Sequence, residues 1–159
     1  MRFLENHDQP RIANVMGTNI EKIKNWTLFY LLLPGSALVH AGQEFAIPHH
    51  NDMFNRDSIE WSKGNSEFYE VFKFYLKASK EIKEKCQKFF IEEIANGVVK
   101  IEWLGKRDKY SAILNLEERF GDIDINFEIN GFDVSSHKRR TFKDFMILER
   151  EPILIKSEI

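Results

Sequence analysis

The chain has 159 residues, of which 43% are hydrophobic and 13% aromatic, enough to build one ordinary domain or parts of two. The 30% of charged residues and the net charge of −2 exclude a disordered composition and give no reason to expect nucleic acid or anionic membranes as partners. A single cysteine, Cys86, excludes an intrachain disulfide and favours a reducing, cytoplasmic compartment.

No segment has the pattern of a targeting sequence or a membrane span. The N-terminal stretch lacks the apolar core and small-residue cleavage site of a signal peptide. The longest apolar run covers residues 28–33, far short of the roughly 20 residues that a membrane helix needs.

The first half of the chain alternates strands and helices. The pattern predicts a strand over 2–5, a helix over 19–33, a strand over 37–41 that is buried on both faces, and a helix over 66–86. Thr18 and Glu21 have the spacing of a capping box for the first helix. This order is typical of a parallel α/β sheet.

In the second half, the hydrophobic period changes from 3.6 residues to 2. The clearest alternation is DIDINFEI at 122–129, and Trp103 alternates so as to face a core. Turn signals at Asn96-Gly97, Gly105, Gly121 and Asn130-Gly131 separate the runs. The pattern predicts an antiparallel sheet or sandwich of about six to eight strands, joined to the first half near residue 87.

A polar turn follows the first predicted strand. Asn6, His7 and Asp8 would lie at the carboxyl end of a parallel strand, which is where α/β folds bind ligands. A carboxylate in that place can stabilise positive charge, act as a base or bind a metal, and an imidazole can hydrogen-bond hydroxyl groups. The simpler alternative is a polar turn that only leads into a helix.

The long loop predicted over 45–64 offers other candidates. His49, His50 and Asp52 could converge on a metal ion, but a loop lacks the fixed geometry of a helix face, so packing or a ligand contact is the preferred interpretation. Glu44 ends a predicted strand, and we expect its carboxylate to make a structural contact with backbone or arginine groups. Trp61 could stack on a sugar ring.

Three segments resemble the α-amylase family, glycoside hydrolase family 13. The stretch FLENHDQPR matches the family pattern F-x-x-x-H-D through Phe3, His7 and Asp8, with Arg11 as a frequent follower. LPGSALVHAGQE matches G-x-P-x-x-x-x-G-x-E at Gly35, Gly42 and Glu44, although Ala37 stands where proline is usual. HNDMFNRDSIEW resembles the loop after that strand, with its element Arg56, Asp57 and Trp61.

The resemblance implies a fold and a domain division. Residues 1–87 would be an α/β segment, the last two βα units of a TIM barrel, and residues 88–159 an all-β antiparallel sandwich called domain C. Such barrels have eight βα units, so the nucleophilic Asp and the acid/base Glu of the family are expected upstream of this chain. The isolated chain is therefore expected to be inactive.

The resemblance also implies roles for individual residues. Asp8 would stabilise the transition state of a retaining glycoside hydrolase, and His7, Asn6 and Arg11 would bind substrate. The residues with an implied structural role are Phe3, Gly42, Glu44, Arg56 and Asp57.

The expected substrate is an α-1,4-glucan or maltooligosaccharide, converted by hydrolysis or transglycosylation. No cofactor or metal is expected in this part, although calcium is possible in the complete enzyme. The exposed edges of a two-unit barrel segment predict self-association. A non-catalytic carbohydrate-binding or stabilising β module is the alternative function.

Overall fold

The computed structural model describes residues 1–52 and 54–159. Their helices are α1 (Ile12–Val15), α2 (Ile20–Leu32) and α3 (Ser66–Lys85), with short 3-10 helices at Gln43–Phe45 and Trp61–Lys63. The chain divides into two compact units, Met1–Lys77 and Ala78–Ile159. This division falls inside α3, whereas the sequence predicted a boundary after residue 87, and the assignment of the two parts as a barrel end and a domain C stays a prediction.

Helix α2 begins differently from the prediction. Asn19 is its N-cap and accepts a hydrogen bond from the Lys22 amide at 3.0 Å. Thr18 has a positive φ of 60° and its hydroxyl donates to the Gly17 carbonyl. The predicted capping box of Thr18 and Glu21 is therefore wrong, because the amide oxygen of Asn19 reaches the first free N–H groups from one position later.

The two strands predicted in the first unit are reduced to a single parallel bridge between Arg2 and Ala37. The prediction of a strand over 37–41 that is buried on both faces is wrong for the described chain. Val39 is 37% exposed, and Ala41 is exposed. A parallel strand becomes buried and regular when neighbours pair with both of its edges. Here residues 2–5 supply one bridge on one edge.

The second unit contains eight antiparallel strands, in agreement with the predicted number. They are β1 (Cys86–Ala95), β2 (Val98–Gly105), β3 (Asp108–Asn115), β4 (Asp122–Asp124), β5 (Ile129–Asp133), β6 (Arg139–Phe142), β7 (Phe145–Ile147) and β8 (Ile153–Glu158). Six strands form one sheet in the order β1-β2-β3-β8-β5-β6, and β4 pairs with β7. The predicted turn at Asn96-Gly97 joins β1 to β2.

The core of the second unit contains buried side chains from both sheets. Its buried members are Val98, Ile113, Ile125, Ile129, Met146, Leu148, Ile153 and Ile155. The alternating run 122–129 is not one strand, because the backbone bends between β4 and β5 and Ile125 donates its N–H to Asp144. Each part of the run can therefore pair with a different sheet while its isoleucines stay in one core. Trp103 is buried, as predicted.

The buried carboxylate of Asp133 makes stability in the second unit depend on pH. Burial alone raises its pKa, but hydrogen bonds from Ser135, Ser136 and Arg140 lower the pKa below its ordinary value. A lowered pKa in the folded state adds stability above the unfolded pKa of about 3.9, and that stability is lost as the pH falls through the folded pKa.

We therefore expect Asp133→Asn to lower the free energy of unfolding at pH 7 and to have a smaller effect near pH 3, below the unfolded pKa. Urea denaturation at the two pH values measures the difference, with the exposed Asp122→Asn as a control. An equal loss at both pH values would contradict the role of the Asp133 charge.

None of the described helices combines the length and the apolar character needed to cross a membrane. Self-association stays a prediction, which sedimentation of the purified chain can test.

Candidate functional site

The parallel bridge brings two polar segments to one edge of the first unit. The Arg2 amide donates to the Ser36 carbonyl at 3.0 Å, and the Leu38 amide donates to the Arg2 carbonyl at 2.8 Å. Because the paired segments run in the same direction, residues 3–8 and 38–44 leave the bridge at the same end. This places the predicted polar turn beside the segment Gly42-Gln43-Glu44.

His7 and Asp8 are the exposed members of the polar turn. Their side chains are 71% and 56% exposed, and His7 Nε2 lies 3.3 Å from Asp8 Oδ2. Asn6 organises the turn, since its Oδ1 accepts from the Asp8 amide at 2.8 Å and its carbonyl accepts from Gln9. The structure therefore exposes an imidazole and a carboxylate side by side, on a turn that the Asn6 side chain helps to fix.

A buried ion pair lies directly beneath this turn. Arg11 Nη1 donates to Glu5 Oε1 at 2.7 Å, and the two side chains are 1% and 0% exposed. The second carboxylate oxygen of Glu5 accepts from the Ile12 amide at the start of α1, also at 2.7 Å. Burial raises the pKa of Glu5, although hydrogen bonds from Arg11 and Ile12 oppose the rise.

The Arg11 guanidinium also joins the turn to the later loop. It donates to the carbonyls of Ala41 at 2.7 Å and His49 at 3.0 Å, and to Asn51 Oδ1 at 3.0 Å. We call the set of Glu5, Arg11, Ala41, His49 and Asn51 the Arg11 clamp. Since every guanidinium nitrogen is used inside the protein, the placement of Arg11 favours a positioning role over the predicted contact with substrate.

Gly42 lies against the clamp in a left-handed conformation, with φ of 94°. A Cβ at this position would lie 3.4 Å from Arg11 Nη1 and from Ile47 Cδ1. The Gly42 amide donates to the carboxylate of Glu44 at 2.8 Å. Glu44 thus contacts nearby backbone, which supports the structural role expected for it.

We expect Gly42→Ala to destabilise the protein by about 1–3 kcal/mol, mainly because the left-handed backbone is strained for alanine, while the new methyl group comes into contact with Arg11. Gly17→Ala is the matched control, since Gly17 also has a positive φ, of 60°, but no atom lies within 4 Å of its added Cβ. Thermal denaturation of the two variants separates the strain from the contact. Equal losses would show that the contact with the clamp adds nothing.

Sequence analysis missed His40 as a member of this site. Burial lowers the pKa of His40, and the positive charge of Arg11 and the neighbouring His7 and His50 lower it further. Its backbone is held by Gln43, whose side chain accepts from the His40 amide at 3.2 Å and donates to the buried hydroxyl of Tyr30 at 3.0 Å. The sequence signal that could have identified His40 is its position as a single histidine inside the apolar run ALVHA at 37–41.

In the loop after Gln43, His49, Asp52 and Asp57 form hydrogen bonds with other residues of the same loop. His49 Nε2 lies 2.8 Å from Asp57 Oδ2, which also accepts from the Asp52 amide at 2.9 Å. The hydrogen bond from the Asp52 amide is the main cause of a lowered pKa of Asp57, and the contact with His49 lowers the pKa further. Asp52 in turn accepts from the Phe54 amide and the Asn55 side chain.

The structure does not support the alternative that His49, His50 and Asp52 bind a metal ion. No group of three or more His, Cys, Asp or Glu side chains in 1–52 and 54–159 is arranged to hold a metal ion. The exposed Arg56 and Asp57 lie in the expected motif, and Met53, within the same stretch, is outside the described residues.

Two aromatic residues of the matched segments are partly exposed. Phe3 is 45% exposed, and Trp61 is 54% exposed with its ring edge-on to Phe45 at a centroid distance of 5.9 Å. Phe45 stacks in turn on Tyr69. Stacking of Trp61 on a sugar ring stays a prediction.

Comparison with known proteins gives consistent results. A family model described as the alpha-amylase catalytic domain matches residues 1–130. A cyclomaltodextrinase from Geobacillus thermopakistaniensis (strain MAS1) is 33% identical over 81 residues, which is 50% of this chain and 14% of the relative.

Solved structures share the fold. A noncanonic maltogenic α-amylase from Thermotoga neapolitana superposes with a TM-score of 0.83 and 23% identity, covering 100% of this chain and 41% of its own. An α-amylase from Lactobacillus plantarum gives 0.78 and 21% identity, with 99% and 37% covered. The chain thus spans less than half the length of these relatives. The match over residues 1–130 shows that the chain belongs to the α-amylase family.

Proposed function

We propose that this chain supplies part of the active site of a retaining glycoside hydrolase that acts on α-1,4-glucans or maltooligosaccharides. The observation that carries the proposal is the exposed pair of His7 and Asp8, 3.3 Å apart, on a turn anchored by the buried ion pair of Glu5 and Arg11. Family membership and the names of the similar proteins, a cyclomaltodextrinase and maltogenic amylases, favour glucans as the substrate class.

The chemistry of this pair suits an oxocarbenium-like transition state. Positive charge develops on the sugar ring as the glycosidic bond breaks, and a fixed carboxylate such as Asp8 stabilises that charge. With His7 Nε2 turned towards Asp8 at 3.3 Å, the Nδ1 atom is proposed to accept a hydrogen bond from a sugar hydroxyl. Asn6 is proposed to act on the substrate through the turn as well as by direct contact.

The catalytic pair itself is proposed to lie elsewhere in the complete enzyme. Retaining hydrolysis requires a nucleophilic carboxylate and an acid/base carboxylate about 5–5.5 Å apart. We assign these roles to residues outside this chain, and residues 1–87 and 88–159 to a barrel end and a domain C. The 159-residue chain alone is then inactive, whether the complete enzyme hydrolyses or transglycosylates.

The stereochemistry of the first product tests the proposed reaction. Proton NMR during hydrolysis of maltoheptaose by the complete enzyme should show the α-anomer before mutarotation, and the 159-residue chain should give no product. Initial release of the β-anomer would contradict the retaining mechanism. Hydrolysis by the 159-residue chain would contradict the assignment of the catalytic pair.

A further inference from the structure

A cleft on the second unit lies far along the sequence from the polar turn. It has a volume of about 590 Å³ and is lined by Asn130, Gly131, Phe132, Arg139, Lys156, Ser157 and Glu158. The cleft lies beside the end of the regular ladder between β5 and β8. Their ladder pairs Phe132 with Lys156 and Asp133 with Ile155, and beyond Phe132 the register stops.

Two close contacts hold β5 and β8 together beside the cleft. The Ser157 hydroxyl donates to the Asn130 carbonyl at 2.6 Å, in place of a regular backbone pair. A Cβ at Gly131 would lie 2.2 Å from the Lys156 carbonyl, so no other residue fits this close approach without moving the backbone. The cleft is therefore a fixed feature of the sheet.

One side of the cleft combines an exposed ring with polar groups. Phe132 is paired with Arg139 on β6 and with Lys156 on β8, and cross-strand partners face the same side of a sheet. The Phe132 ring is 56% exposed. Arg139 Nε donates to Asn130 Oδ1 at 3.1 Å, which orients the guanidinium and the amide beside the ring.

These groups match the chemistry of a pyranose. The apolar face of a sugar ring packs on an aromatic ring, and planar guanidinium, amide and carboxylate groups bind its hydroxyls. Lys156 lies 3.3 Å from Asp108, so part of its charge is balanced and an anionic ligand is not required. We infer that this cleft is a second binding site for α-glucan chains, with Phe132 as the stacking platform and Arg139, Asn130 and Glu158 as hydroxyl ligands.

The inference takes its ligand class from the proposed function, but its location does not depend on it. A glucan bound here would be held by residues of the second unit. Because a polymer offers many glucose units to such a cleft, we expect it to bind polymers more tightly than short oligosaccharides.

Affinity electrophoresis in native gels containing soluble amylose tests the site on the 159-residue chain. The unmodified chain should be retarded, Phe132→Ala should lose most of the retardation, and Arg139→Gln should lose part of it. Phe145→Ala is the matched control, since Phe145 is 57% exposed on β7 and lies outside the cleft. Isothermal titration with maltoheptaose should show about a tenfold weaker Kd for Phe132→Ala, equivalent to about 1.4 kcal/mol.

His7→Ala separates this inference from the proposed function. Retardation that Phe132→Ala abolishes and His7→Ala preserves supports the cleft, whatever the activity of the complete enzyme. Retardation that only His7→Ala abolishes supports the polar turn as a glucan site and overturns the cleft. An unmodified chain that amylose does not retard, or an equal loss in Phe132→Ala and Phe145→Ala, also overturns the cleft.

Discussion

Replacing Asp8 with asparagine in the complete enzyme should lower kcat by about 10²- to 10³-fold, the usual effect of removing one preorganised group that stabilises transition-state charge. The asparagine keeps the shape of the side chain but removes the negative charge. Because charge on the sugar develops only as the bond breaks, KM for maltoheptaose should change much less than kcat. Steady-state kinetics measure both parameters.

The exposure of Asp8 makes this variant informative. Its side chain is 56% exposed, so the substitution should leave the melting temperature within about 1–2 °C of that of the unmodified enzyme. Asp124→Asn, an exposed change on β4, is the control and should keep full activity. A kcat within a factor of three of the unmodified value in Asp8→Asn would rule out a role for this carboxylate in catalysis.

The second large effect concerns the Arg11 clamp. Arg11→Met should destabilise the protein by about 3–5 kcal/mol, because it leaves the fully buried Glu5 carboxylate without its partner. It also removes the donor to the carbonyls of Ala41 and His49. For a chain of this size, the loss corresponds to a fall in melting temperature of at least about 6 °C.

The pH dependence identifies the cause. Burial already raises the pKa of Glu5, and loss of Arg11 raises it further. A carboxyl group with a raised folded-state pKa becomes less stabilising as the pH rises above its unfolded value of about 4.3. Arg11→Met should therefore be least destabilised in acid and most destabilised near neutral pH.

Two further variants complete the test of the clamp. Glu5→Gln combined with Arg11→Met should recover part of the stability, since the double variant buries no unpaired charge. The exposed Arg56→Met is the control for loss of an arginine. If Arg11→Met cost less than about 1 kcal/mol at pH 7, the buried ion pair would not be holding the turn.

The sequence predicted the regular elements well where local signals agree. Helices α2 and α3 and the number of strands followed from hydrophobic periods, and the Asn96-Gly97 turn followed from its residues. Each of these features depends on residues that are close together in the chain.

The features that sequence analysis missed depend on distant contacts. The family resemblance predicts a substrate contact for Arg11, and only the structure shows that Arg11 is buried by contacts with Ala41, His49 and Asn51. The run DIDINFEI alternates like one strand, yet its two ends pair with different sheets. The lowered pKa of His40 likewise depends on burial and on the side chains of Arg11, His7 and His50.

The composition of the Arg11 clamp has a consequence for how this protein can change. Two of its acceptors are the main-chain carbonyls of Ala41 and His49, which an amino acid of any type would provide. The side chain at 41 is thus free to vary without loss of this hydrogen bond, whereas Glu5 and Asn51 must keep their oxygen atoms and His49 must keep the imidazole that contacts Asp57. Directed evolution can therefore randomise position 41 while the anchoring positions stay fixed.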